Sequence, residues 1–205
     1  TALRGAHRFV PELVAAPADD RLPLRPGGSY LVTGGLTSRG YPFARFLAQH
    51  AEGAKLLLTV APGETEGHGA RNQRREAALT ALGAEVAVVE LESAGEAAAV
   101  AAAVERFGAL DGVIHAAEPA DVAAAYLTVA EAAAPERAEP GERFFALRAE
   151  GAGRLLEALA ERTPGFTLLL SSVGPYAPSL GLLYEAAAGA YCDGLAEAAS
   201  ADGVT

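Results

Sequence analysis

"YLVTGGLTSRGYPFARFLAQH", residues 30–50, decides the fold. An apolar, β-prone run ends at Gly34 and Gly35, Gly40 follows, and apolar residues then recur three and four apart. Strand, glycine turn and helix in that order open a dinucleotide-binding unit, where phosphate lies against bare backbone at the helix N-terminus. Thr37 stands in the turn where a glycine is expected, and a β-branched side chain there fills volume and resists the positive φ such a turn can demand.

Working outward, apolar runs at 29–33, 55–60, 85–91, 112–115 and 166–171 read as strands. Helical spacing appears at 41–49, 70–82, 95–107, 142–161 and 183–200. Nearly uninterrupted apolar strands such as "LLLTV" suit a parallel sheet covered on both faces, with right-handed crossovers between strands. The expectation is an α/β, doubly wound, Rossmann-type sheet over residues 28–205, its last strand missing or truncated at "SADGVT". Residues 1–27 form a separate piece: "LRGAHRFV" reads as a strand from a preceding structural subdomain. Pro11, Pro17, Pro23 and Pro26 make the rest an extended connector, so the chain reads as a portion of a longer polypeptide. The segment "PGETEGHGARNQRRE", residues 62–76, reads as a solvated, flexible connection.

Length and charge narrow the function. A chain of 205 residues supports one sizeable core. The net charge of −10 and the absence of any basic cluster beyond Arg71, Arg74 and Arg75 argue against a nucleic-acid partner. No apolar run reaches membrane-spanning length, and no targeting segment opens the chain. A single cysteine, Cys192, forms no internal disulfide and fits a cytoplasmic setting. His7, His50 and His68 have no metal-ligand spacing, so no metal is expected. His115 reads as a structural residue at a strand end.

The stretches "ALRGAHRFVPEL", "GGSYLVTGGL", "LTALGAEVAVVELES", "GALDGVIHAAE", "LLLSSVG" and "AYCDGLAEAASADG" follow the order and spacing of the ketoreductase domains of modular polyketide synthases. The chain resembles that family, of the short-chain dehydrogenase/reductase superfamily, over nearly its whole length and least between residues 118 and 143. The resemblance implies NADPH-dependent reduction of a β-ketoacyl group carried on a thioester.

Position by position, the resemblance implies a degenerate site. The family's turn reads Thr-Gly-Gly-x-Gly-x-x-Gly; here Gly34, Gly35 and Gly40 remain, and Thr37 replaces the middle glycine. These glycines also serve plain strand-to-helix packing, and Arg39 reads as a solvated arginine at the helix start, with a phosphate contact as the alternative. Ala61 stands where the family pairs a basic residue with the 2′-phosphate, and Glu92 stands for the aspartate near adenine. Glu118 replaces the last glycine of the "HAAG" motif, adding bulk and negative charge beside the cofactor phosphates.

Of the catalytic groups, Ser172 matches the family serine, while Glu185 falls at the tyrosine, Gly189 at the asparagine and Arg148 at the lysine. An ionised glutamate offers no proton to a developing alkoxide. Tyr184, next to the tyrosine position, faces about 100° away around the helix and is the one residue that would rescue activity. Ser171 and Ser172 otherwise satisfy backbone groups where the strand ends. Neither stereochemical signature appears: "EPADVAAAYLTV" lacks the Leu-Asp-Asp of one type, and the chain has no tryptophan for the other.

The expectation is therefore a catalytically inactive, scaffolding ketoreductase-like domain that binds no NADPH. Its partners would be neighbouring domains of the same synthase, including a structural subdomain, a methyltransferase or an acyl carrier protein. Two alternatives stand: an active NADPH-dependent reductase using Tyr184, or a pseudoenzyme holding an acyl-pantetheine arm or another ligand near Ser172, Glu185 and Arg148. A Glu185–Arg148 ion pair filling the cleft would count against the last.

Overall fold

A computed structural model describes residues 2–9, 15, 23–61, 64–91, 95–119, 135–176 and 182–201. A hairpin of β1 (Ala2–Arg4) and β2 (His7–Phe9) comes first, followed by β3 (Ser29–Thr33), α1 (Gly40–His50), β4 (Lys55–Val60), α2 (Glu64–Ala81), β5 (Glu85–Glu90), α3 (Gly95–Phe107) and β6 (Gly112–His115). Then come α4 (Pro135–Phe145), a π-helical turn at Ala146–Glu150, α5 (Gly151–Leu159), β7 (Thr167–Leu169) and α6 (Leu183–Ala201).

Five strands form one parallel sheet in the order β5-β4-β3-β6-β7. Because strand side chains alternate in direction, Tyr30 and Val32 of β3 face one side and Leu31 the other. On the first side, Leu56 and Leu58 of β4, Ala44 and Leu47 of α1 and Leu79 of α2 close one core. On the second, Leu57, Val113, Ala99, Val100 and Leu155 close another, against α3 and α5. The doubly wound expectation holds, with five strands in the parallel sheet among the described residues.

Strand order reverses between β3 and β6, which pair with each other while β3 also pairs with β4. In an open parallel sheet the carboxyl ends at such a reversal part their loops and leave a crevice. The turn after β3 (Gly34–Arg39) and the segment after β6 (Ala116–Pro119) border it.

Several expectations need correction. "LRGAHRFV" is not one strand: Gly5 takes φ 62° and turns the chain so that Ala2 pairs with Phe9 and Arg4 with His7. The helix expected over 70–82 is present to Ala81 but starts at Glu64, so residues 64–69 of the expected flexible connection are helical too. Gly67 and Gly69 dilute the helical period, but tertiary contacts override it: Asn72 and Leu79 are buried, and Arg75 bonds the carbonyl of Leu36 at 2.5 Å while its guanidinium lies over Tyr41. The helix expected over 142–161 begins at Pro135, carries Pro140 inside it and widens into the π-turn before α5. Burial on both faces holds for β3 and β6 but not for β5 and β7, where Val88 and Leu168 are exposed.

Candidate functional site

The turn after β3 is closed by its own side chain. Thr37 Oγ1 donates to the Gly34 carbonyl at 2.8 Å and accepts the Gly40 N–H at 3.1 Å, while the Thr37 carbonyl accepts the Tyr41 N–H at 3.2 Å. Thr37 thus caps α1, occupying helix N-terminal donors of the kind that bind phosphate. The positive φ of the turn falls on Gly34, at 65°, and on no non-glycine residue, so the expected backbone strain at Thr37 does not arise. The glycines are held by the chain itself: a Cβ on Gly34 would meet Ala116 O at 2.6 Å, one on Gly35 would meet Leu58 Cδ2 at 2.7 Å, and one on Gly40 would strike the Gly34 carbonyl.

Beside this turn runs a chain of four charges. Arg148 NH1 lies 3.6 Å from Glu118 Oε2; that oxygen lies 3.0 Å from Arg39 Nε; and Arg39 NH2 donates to Glu185 Oε1 at 2.9 Å. Glu118 and Arg148 are each 1 % exposed. Glu118 further accepts the Ser38 hydroxyl at 3.2 Å and the Arg39 backbone N–H. Burial pushes the Glu118 carboxyl up, and Arg39 and then Arg148 oppose that rise. Burial and the neighbouring Arg39 lower the Arg148 guanidinium, which Glu118 supports. Glu118 Oε2 and both terminal nitrogens of Arg148 have no hydrogen-bond partner.

The π-turn delivers Arg148 into this chain. An α-helix widened by one residue leaves carbonyls without regular partners. Here the Arg148 carbonyl bonds His115 Nε2 at 2.9 Å and takes Cys192 Sγ at 3.7 Å. A carbonyl only accepts, so Nε2 carries the His115 proton and Nδ1 accepts the Thr33 hydroxyl at 2.7 Å. Burial lowers His115 to about 4, leaving the ring neutral, and pushes the Cys192 thiol up. Arg154 braces the same turn, donating to Glu96 at 2.9 Å and to the Ala146 carbonyl at 3.3 Å.

The residues after β7 pack directly on α6. Ser172 Oγ accepts the Gly174 N–H at 3.1 Å and Ser171 Oγ donates to the Gly189 carbonyl at 3.2 Å. A Cβ on Gly189 would sit 3.2 Å from both serine hydroxyls, and one on Gly174 would sit 3.1 Å from the Ala186 Cα. Tyr184 packs beside Phe144 and Ala188, its ring lying where a Cβ on Gly141 would go.

The structure thus gathers Thr37, Glu118, Arg148 and Glu185 at one crevice and sets Ser172 against Gly189. Ala61 is buried at the end of β4, and Tyr184 faces α4. Glu92 lies outside the described residues, as does most of the stretch between 118 and 143. Arg39 is not a solvated helix-start arginine; it bridges two acids. The Glu185–Arg148 pair that would have counted against a ligand in the cleft is not among the described ion pairs; Glu185 pairs with Arg39 and Arg148 with Glu118. Sequence reasoning missed Arg39 and Ser38 as members. The available signal was the sign of the departures, since two acids and one arginine had replaced uncharged residues and a lysine within one expected site. Among the described residues no three metal-ligating side chains cluster, and no helix is long and apolar enough to cross a membrane.

Residues 28–205 match the family model described as the KR domain. The chain is 35% identical over 201 residues to "Polyketide synthase GfsA" of Streptomyces halstedii, covering 96% of this chain and 2% of that protein. It superposes on "Structure of A-type Ketoreductases from Modular Polyketide Synthase" at 31% identity and TM-score 0.74, covering 93% of this chain and 39% of that one. A ketoreductase described as N-terminal, from the macrolactin assembly line, superposes at 25% identity and TM-score 0.76, covering 92% of this chain and 37% of that one. The chain therefore spans a small fraction of the synthase relative and well under half of each solved ketoreductase.

Proposed function

The chain belongs to the KR domain family, and on that premise we propose that it is a ketoreductase-like domain of a polyketide synthase that has lost NADPH binding and carbonyl reduction and serves a structural role. The observation that carries this reading is the charge chain Arg148–Glu118–Arg39–Glu185, which joins the family's lysine and tyrosine positions to its cofactor turn.

Ketone reduction requires a hydride donor bound against the sheet and an acid at the developing alkoxide. The residues present do not fit the donor: Thr37 takes up the Gly40 N–H, and the Glu118 carboxylate meets the start of α1 where pyrophosphate charge would lie. Ala61 offers no charge to a 2′-phosphate. The acid is missing as well, because Glu185 is tied as a carboxylate to Arg39.

The rival reading, an active reductase using Tyr184, is disfavoured by the packing of that ring toward Gly141 and Phe144. The pseudoenzyme reading, with an acyl-pantetheine arm in the cleft, is disfavoured by the contact of Gly189 and Gly174 with Ser172 and by the charges already paired there. A structural role implies partners among neighbouring domains of the same synthase, such as its structural subdomain, a methyltransferase or the acyl carrier protein.

Calorimetric titration of the purified protein with NADPH tests the proposal. No heat of binding is expected up to millimolar cofactor. Binding in the micromolar range overturns it, and turnover of a β-ketoacyl thioester, with Tyr184→Phe as control, would then establish the rival.

A further inference from the structure

The Glu118 carboxylate is held as a bound oxyanion would be held. Around it stand the Ser38 hydroxyl at 3.2 Å, the Arg39 backbone N–H, Arg39 Nε at 3.0 Å and Arg148 NH1 at 3.6 Å. The 11-residue helix α1 adds the positive end of its dipole. Two guanidinium groups, one of them shared with Glu185, and a helix N-terminus form a cationic cradle, and a side-chain carboxylate is a poor filling for it. Its Oε2 faces both guanidinium groups without a hydrogen bond, and both terminal nitrogens of Arg148, itself almost fully buried, remain without acceptors. A tetrahedral oxyanion has more acceptor oxygens, and its charge is not confined to the end of a tethered side chain.

We propose that Ser38, Arg39, Arg148 and the start of α1 form an oxyanion site whose resident is Glu118 in cis, and that removing this side chain opens the site to free phosphate. The proposal rests on the reading that no cofactor pyrophosphate occupies this place. It adds that the site was filled from within and keeps its affinity for the phosphate class.

The test compares thermal unfolding of the wild-type protein and Glu118→Gly in rising sodium phosphate, against sodium chloride matched for ionic strength. In chloride, Glu118→Gly melts below wild type because the buried Arg148 guanidinium loses its counter-charge, while the partly exposed Arg39 keeps Glu185. In phosphate its melting temperature climbs by several degrees with concentration, beyond the small rise that phosphate gives any protein, which the wild type measures. Glu118→Gly/Arg148→Leu loses that excess response. If Glu118→Gly does not fold in chloride, recovery of a cooperative transition in phosphate is the expected result, with Glu118→Ser as the milder variant. Equal phosphate responses in wild type and both single variants, or no recovery of either variant in phosphate, overturn the proposal. NADPH binding by the wild type would instead sink the scaffold reading, so the two failures are distinguishable.

Discussion

The guanidinium of Arg39, in the turn before α1, donates at 2.9 Å to the carboxylate of Glu185 near the start of α6, across 146 residues of sequence. One side chain therefore ties the turn that would receive a cofactor to the helix that would carry the catalytic acid. Arg39 is 27% exposed and Glu185 12%, so the pair is screened less than a surface bridge. A double-mutant cycle with Arg39→Ala and Glu185→Ala should give a coupling of about 1 kcal/mol in urea unfolding. Arg39→Ala alone should cost more than Glu185→Ala, because it also leaves Glu118 with Arg148 as its remaining cation. A coupling indistinguishable from zero would mean that the bridge adds nothing to stability.

Thr37 makes a separate prediction, since its hydroxyl caps α1. Thr37→Ala should lower stability by about 1 kcal/mol, whereas Thr37→Ser keeps the hydroxyl and should stay near wild type. Thr37→Gly restores the family's turn at a cost of a few tenths of a kcal/mol. It should still bind no NADPH, because Glu118 remains beside the turn. Denaturant unfolding and the same calorimetric titration check both statements.

His115 sets a pH dependence. The unfolded side chain titrates near 6.5 and the folded one near 4, because burial disfavours the charged ring. Between those values the unfolded state binds the extra proton, so this contribution is complete above about 6.5 and disappears as pH falls toward 4. Glu118, whose carboxyl is raised by burial, acts in the opposite sense as pH rises above its ordinary range. The difference in stability between wild type and His115→Gln should therefore shrink by about 3 kcal/mol from about pH 7 to about pH 4. A difference that stays constant across that window would show that His115 is not held neutral.

The central strands were legible because their code is local: β3, β4 and β6 combine apolar runs with turn residues at both ends. The start of α2 at 64–69 was not, since Gly67 and Gly69 break its period, whereas the part from residue 70 on shows apolar spacing in the sequence. The positions of Thr37, Glu118, Arg148 and Glu185 could be placed by spacing and resemblance, each as a departure from a pattern. Their pairing could not, because Arg39 joins them across long stretches of chain, and because the π-turn sets the direction of Arg148 in a way no local propensity encodes. A carboxylate that reads in sequence as repulsion toward a ligand proves in space to be a partner for two arginines.

The glycines of the turn carry one more implication, for which side chains this loop can accept. At Gly34, Gly35 and Gly40 the obstacle to a larger residue is the protein's own backbone or the Leu58 side chain, so these positions remain constrained whether or not any nucleotide ever binds. At position 37 a threonine fits without strain and bonds the turn's own carbonyl, so the chain trace itself does not call for a glycine there. Three of the turn's glycines are thus accounted for by the protein's own packing, and position 37 is the one place where that packing accepts a side chain.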